Sequence, residues 1–469
     1  MARLSSDNLL SEPQRRHSPV HRASTASADY DAPDSYFNLD ELAAVSPIQN
    51  PREEPICHLQ TLEQVRSRHE ESIQEQRLSR RLLARRYPEQ EKSKESREAK
   101  FEISRLLTQL YTVSYLILFS ILGTLARLGL QALTTYPGTP VIFSSIWPNF
   151  AGSLVMGFLS EDRMLFREVL ASPEQRRDKP DEESGGSPSN EPATPPNPPT
   201  AATKKTIPLY IGLATGFCGS LTSFSALIRD VFLAMSNDLP TTSDFSPSRN
   251  GGYSFLALLS ILITTISLSL SGLFLGAHLA IALAPLLPSI PAWFTCRVLD
   301  RLAVLLGWGC WLGAVLLSIW PPDRAQQTPS PDSSSSWRGA ATFALVFAPL
   351  GCLLRFFVSL KLNGRLASFP VGTFVVNMLG TVVLAVAWDL AHLPAGGVMV
   401  ACQILKGGVQ DGFCGCLTTV STWVAELAAL RKRHAYVYGG ASVLGGFAVA
   451  VAVMGGVRWN GEFQGAVCG

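Results

Sequence analysis

Two runs of the chain carry glycine, hydroxyl and sulfur side chains in the same order. They read Gly216-Phe-Cys-Gly-Ser-Leu-Thr-Ser-Phe-Ser-Ala-Leu227 and Gly412-Phe-Cys-Gly-Cys-Leu-Thr-Thr-Val-Ser-Thr-Trp423. Each opens on small-xxx-small spacing, Gly212/Gly216 and Gly408/Gly412, which permits close helix approach. Each continues through Gly219 or Gly415 into threonine and serine. These residue types weaken helical hydrogen bonding and release main-chain carbonyls. Inside a bilayer, released groups are tolerated only within protein or beside a watery path. Two helix breaks at matched positions are one reading, and glycines serving packing alone are the other.

Asn149 and Asn377 stand in otherwise apolar runs. A buried amide is costly without partners, so it either donates to an anion or joins helices. Arg127 and Arg355 lie near the ends of apolar segments. They suit an anion vestibule, or they snorkel to the headgroups. Phe224 and Trp423 offer positively polarised ring edges to an anion, or simply pack. His278 reads as a packed histidine, and Asp230, Asp389, Asp411 and Glu426 read as boundary residues near helix ends. The nine cysteines form no CxxC pair or Cys/His cluster of metal-ligand spacing. No Walker loop, HExxH or GxSG with a partner histidine is present, so no enzyme is expected.

The elements that must position these residues are membrane helices. Of 469 residues 47% are hydrophobic and only 16% charged, below the roughly 25% of soluble domains. Crossing a bilayer takes roughly 20 mainly apolar residues. Suitable runs lie near 111–133, 141–160, 207–235, 253–285, 301–320, 340–360, 370–391, 399–429 and 436–456. The expected fold is therefore an all-α polytopic membrane protein of about nine spans. Residues 1–105 read as a charged, disordered cytosolic tail, with 61–100 a solvated candidate helix leading to the membrane. Its cluster of Arg80, Arg81, Arg85 and Arg86 suits anionic lipid. The stretches 171–203 and 323–337 are non-globular connections, and 457–469 is a short tail.

Lysine and arginine fall in alternate loops, among them Lys204, Lys205, Arg297, Lys361, Arg365 and Arg431. The positive-inside bias then places the N-terminus in the cytosol and the C-terminus outside. No cleaved signal is expected after Met1, and nothing points to nucleic acid.

The two glycine–threonine runs belong to a larger internal repeat. Gly123-Thr-Leu-Ala-Arg127 matches Gly351-Cys-Leu-Leu-Arg355 at an offset of 228, as Asn149 and Gly152 match Asn377 and Gly380. The runs at 216 and 412 match at an offset of 196, because the first copy has a longer second loop. The units are 106–285 and 340–456, joined by 286–339 with its own span at 301–320. An odd helix between two four-helix units makes them antiparallel, and such repeats place an ion path at broken helices near the midplane.

With GFCGSLTSFSAL and GFCGCLTTVSTW, the GxxxR pairs and the paired asparagines, the chain resembles the fluoride channel family, over roughly 111–285 and 340–456. The resemblance, to the bacterial Fluc proteins and the two-repeat fungal exporters, implies a monomer acting as a pseudo-dimer in the plasma membrane. It implies passive export of fluoride through pores involving Asn149, Asn377, Phe224, Ser225, Thr419, Ser421, Thr422 and Trp423, with a polar track through Thr222, Ser225, Thr418 and Ser421. It implies Arg127 and Arg355 at a vestibule, and a structural sodium ion near Gly219, Thr222, Gly415 and Thr418. The family's TTFSTF pattern is split here. The first copy keeps Phe224 but has Leu227, and the second has Val420 and Trp423. If pairing crosses the copies, one pathway has both aromatic edges and the other neither. The competing readings are a proton-coupled exporter of dual-topology type, which needs a carboxylate deep in a helix, and a membrane scaffold without transport.

Overall fold

A computed structural model of the chain describes residues 88–136, 139, 141, 143–170, 204–239, 250–320, 334–392 and 402–460. Among them every regular element is helical. The expectations for residues 1–87, for the connection 171–203, for most of 323–337 and for the end of the C-terminal tail lie outside the described residues.

The first unit consists of α1 (Pro88–Thr134), α2 (Ile146–Glu161), α3, α4 (Phe224–Ser236) and α5 (Gly251–Leu283). Helix α3 is composite: Pro208–Ile211, a π-helical stretch Gly212–Cys218 and one turn Gly219–Leu221. A connecting helix α6 starts at Ala292–Phe294, passes through a π-helical stretch Thr295–Leu299 and ends with Asp300–Ile319. The second unit has α7 (Ser334–Leu362), α8 (Val371–His392), α9 (a π-helical Ile404–Cys414, then Gly415–Leu417), α10 (Ser421–Ala429) and α11 (Lys432–Asn460).

Seven helices are long and apolar enough to cross a membrane: Ile103–Thr134, Pro208–Ser236, Gly251–Leu283, Ala292–Ile319, Gly339–Arg365, Val371–His392 and Lys432–Asn460. Two expected spans differ. The run 141–160 becomes the 16-residue α2, and the run 399–429 is divided between α9 and α10. Helix α1 begins at Pro88, inside the stretch expected to be tail.

Burial separates the seven. In Pro208–Ser236 the most apolar window is 89% buried, against 17% in Ala292–Ile319. The glycine–threonine helix is thus the core of the bundle, and α6 lies on its flank. Glycines set the closest approaches. A Cβ at Gly272 or Gly276 of α5 would meet the main chain of Phe150 or Leu154 on α2, and one at Gly157 would meet Leu273. The connecting helix docks on both units. Tyr115 donates to Asp300 at 3.0 Å, Trp308 Nε1 to Ser114 at 3.1 Å, and Trp311 Nε1 to the Val346 carbonyl at 2.9 Å.

Lys204 fixes the cytoplasmic end expected for α2. Its buried Nζ donates to the carbonyls of Leu159 (3.3 Å), Ser160 (3.1 Å) and Asp162, which are left open where α2 ends. Burial pushes the amine down to about 8, opposed by the neighbouring Asp162 and Glu161.

Candidate functional site

Both glycine–threonine helices break at the matched threonine. Thr222 (φ −93°, ψ 152°) ends α3, and Thr418 (φ −97°, ψ 152°) ends α9. An extended residue cannot pass the helical ladder onward, so each chain restarts one or two residues later. Ser223 caps α4 by accepting from Ala226 N, and Thr419 accepts from Thr422 N at 3.4 Å.

The two breaks grip each other. Thr222 Oγ1 accepts from Ser421 N (3.1 Å) and Val420 N (3.2 Å), while Thr418 Oγ1 accepts from Ser225 N (3.1 Å). Thr222 and Thr419 lie 3.1 Å apart, Thr418 and Ser225 3.0 Å, and Ser421 donates to the Cys218 carbonyl at 3.1 Å. Each threonine hydroxyl thus satisfies amides at the start of the opposite unit's helix. The structure brings Thr222, Ser225, Thr418, Thr419, Ser421 and Thr422 together in one buried cluster.

Asn149 and Asn377 flank this cluster differently. Asn149 Oδ1 accepts from Ser223 N at 2.9 Å, and its buried Nδ2 has no hydrogen-bond partner. Asn377 Oδ1 accepts from Thr419 N at 2.9 Å, while its Nδ2 donates to the Thr419 carbonyl at 3.2 Å. Phe224 and Trp423 meet edge to face with centroids 5.5 Å apart, and the indole N–H of Trp423 is buried without a partner.

Neither arginine snorkels. Arg127 and Arg355 are 2% and 1% exposed and reach across to the other unit's break. Arg127 Nη2 donates to the Asp411 carbonyl, and Arg355 donates to the carbonyls of Thr215 (2.9 Å) and Cys416 (2.8 Å). A Cβ at Gly219 would collide with the Arg355 guanidinium, and one at Gly415 with that of Arg127. Glycine is therefore required at both positions. A cation near Gly219, Thr222, Gly415 and Thr418 is left with main-chain oxygens, because the threonine hydroxyls are engaged and the guanidinium takes the side-chain side of each glycine. Such oxygens suit a hard monovalent ion, and the half-helix ends favour positive charge.

Two expectations are corrected. His278 is exposed on α5 rather than packed. Glu426 is no boundary residue but the centre of a buried network: Thr373 and Tyr438 donate to it at 2.6 Å each, and Asn363 lies 3.5 Å away. The repeat offsets could have found it, because they map Ser145 and Asp230 onto Thr373 and Glu426. Asp230 instead takes Arg229 on one oxygen, at 2.8 Å from Nη2. Asp389 is buried with Oδ1 unpartnered.

Comparison with known proteins agrees with this duplicated arrangement. A family model described as CrcB-like protein, Camphor Resistance (CrcB), matches residues 114–277 and 342–456. Fluoride export protein 1 of Neurospora crassa is 59% identical over 461 residues, covering 95% of this chain and 86% of that protein. Fluoride export protein 1 of Candida albicans is 34% identical over 349 residues, covering 73% and 78%. The fluoride-specific ion channel FluC of Pseudomonas aeruginosa is 41% identical over 98 residues, covering 21% of this chain and 72% of that protein. No solved structure shows a significant match. One family model falls on each of the two units that carry a broken helix, and a relative is matched over nearly the whole chain; the protein belongs to the CrcB-like family.

Proposed function

We propose that this chain is a passive, fluoride-selective channel that exports fluoride across the plasma membrane. The carrying observation is the buried pairing of Phe224 with Trp423 beside the interlocked breaks, where ring edges and an unpartnered indole N–H can face an anion. The names of the relatives support fluoride as that anion. The seven long helices, the short α2 and the divided α9–α10 make nine crossings, as two antiparallel four-helix units joined by α6. The N-terminus is cytosolic and the C-terminus external. In support, lysine and arginine gather in the loops that this topology places inside. One chain acts as a pseudo-dimer within lipid. A sodium ion held by main-chain oxygens of Gly219, Thr222, Gly415 and Thr418 supplies positive charge that holds the two breaks together.

Anions are drawn toward the breaks by Arg127 and Arg355, whose unpartnered guanidinium nitrogens lie beside them. They pass along hydroxyls of the cluster and between the aromatic edges, driven by the negative-inside potential. The test is fluoride efflux from proteoliposomes, followed with an electrode. Rapid efflux without a proton gradient is expected. Efflux that requires the gradient would identify a coupled exporter, and none at all would leave a scaffold.

A further inference from the structure

The two units carry matched rows of polar side chains that differ in one respect. In the second unit the row is Thr373, Asn377 and Thr381 on α8, Glu426 on α10, and Tyr438 and Ser442 on α11. Every member is hydrogen-bonded: Thr373 and Tyr438 to Glu426, Asn377 to Thr419, Thr381 to the Asn377 carbonyl and Ser442 to the Tyr438 carbonyl.

The first unit presents the counterparts. The offset of 228 matches Ser145, Asn149 and Ser153 to the three α8 residues, and the offset of 196 matches Asp230 to Glu426. On α5, Gly272 contacts Phe150, as Gly445 on α11 contacts Met378. Phe150 and Met378 are matched, so Thr265 and Ser269 correspond to Tyr438 and Ser442. In this row Ser145 Oγ, Asn149 Nδ2, Ser153 Oγ, Asp230 Oδ2, Thr265 Oγ1 and Ser269 Oγ all lack a hydrogen-bond partner. Each of these residues is 3% exposed or less.

Orphaned atoms on every member of one row are not chance survivors, because a buried polar group without a partner is costly and rare. Ser145, Asn149 and Ser153 occupy successive turns of one α2 face. The contacts of Gly272 with Phe150 and of Gly276 with Leu154 put Thr265 and Ser269, on the same α5 stripe, level with the start of α2. The atoms are of mixed kind. Asn149 Nδ2 only donates, Asp230 Oδ2 only accepts, and the hydroxyls do both. An anion would meet the carboxylate oxygen, and a cation would meet the amide hydrogens. Water serves both.

We propose that the first-unit row holds a file of water molecules, while the matched second-unit row is closed on itself. From Ser145 to Ser153 the face spans about 12 Å, room for about four waters in line. The unit that lost its aromatic position at Leu227 is thus a hydrated cleft, not a collapsed one.

Radiolytic hydroxyl labelling of the full chain in lipid nanodiscs tests this, because radicals form from resident water even where that water is occluded. Oxygen is traced from isotopically heavy water and located by mass spectrometry. After correction for intrinsic reactivity, labelling is expected to be several-fold higher at Met156 and Leu273, beside the first row, than at Leu384 and Val376, beside the second. All four side chains are buried, so bulk exposure does not decide the result. Equal labelling, or more at the second row, overturns the proposal. Ser269→Val should lower the labelling of Met156 and Leu273, and a folded variant that keeps full labelling overturns it as well. Neither labelling measurement uses fluoride, so failure here leaves the transport reading standing, and failed efflux leaves this one standing.

Discussion

Phe224 and Val420 hold the same place in the two copies, yet only one carries a ring. Phe224 packs edge to face with Trp423, whose own counterpart is Leu227. A Cβ at Gly446 of α11 would meet Phe224 and one at Gly439 would touch Trp423, so the aromatic pair borders the helix whose Tyr438 closes the row around Glu426. A ring edge is positively polarised and an aliphatic chain is not. Phe224→Ile is expected to cut fluoride flux at least about ten-fold, the factor that ~1.4 kcal/mol on a barrier represents. Val420→Ile should leave flux nearly intact. Equal loss from both, measured at matched protein density in liposomes, would refute the assignment. Repeated spacing singled out Phe224, Trp423 and the asparagines before any coordinates. The offset also matches Glu426 to Asp230, but its network was not legible, because a carboxylate near a helix end looks the same in sequence whether water or Thr373 and Tyr438 surround it.

The broken helices are elements whose ends do the work. Glycines at Gly212 and Gly216 let α3 run close to α1, where a Cβ at either would strike Tyr115 or Phe119. The π-helical stretches at Gly212–Cys218 and Ile404–Cys414 precede the breaks, as such stretches often do at functional sites. With Thr222 and Thr418 extended, two half-helix ends face one another across the cluster. Replacing sodium with N-methyl-D-glucamine should therefore lower the melting temperature of the purified protein by several degrees, and restoring sodium should reverse it. A melting curve indifferent to sodium would remove the ion from the account and leave the threonine–amide bonds alone to hold the breaks.

For the molecule as a whole, α6 is the decisive part. It is mostly exposed to its surroundings yet is anchored to Ser114 and Tyr115 of the first unit and to Val346 of the second. In the proposed topology, a lone crossing between two four-helix units reverses the second relative to the first. Single cysteines introduced at Ser6 and Gln464 are expected to react with an impermeant reagent from opposite sides of the membrane. Labelling of both from one side of intact cells would contradict the antiparallel arrangement. A helix that only tethered the units would not need a buried Asp300 bonded to Tyr115, so α6 also fixes how they sit.

Apolar length, loop charge and the repeated motifs are local properties, so the membrane class, the duplication and the family resemblance could be read before any coordinates. The offset of 196 matched Thr222 to Thr418 and Gly219 to Gly415, and both pairs hold like places at the breaks. Partners are different, because they depend on which surfaces meet. Only the folded chain placed Arg127 and Arg355 over the opposite glycines rather than at the headgroups. Only it divided two chemically similar rows into one that is hydrogen-bonded throughout and one that is not. Asn149 and Asn377 are the same residue at the same step of the repeat, and their difference lies in whether a carbonyl meets the amide nitrogen, which no residue name carries.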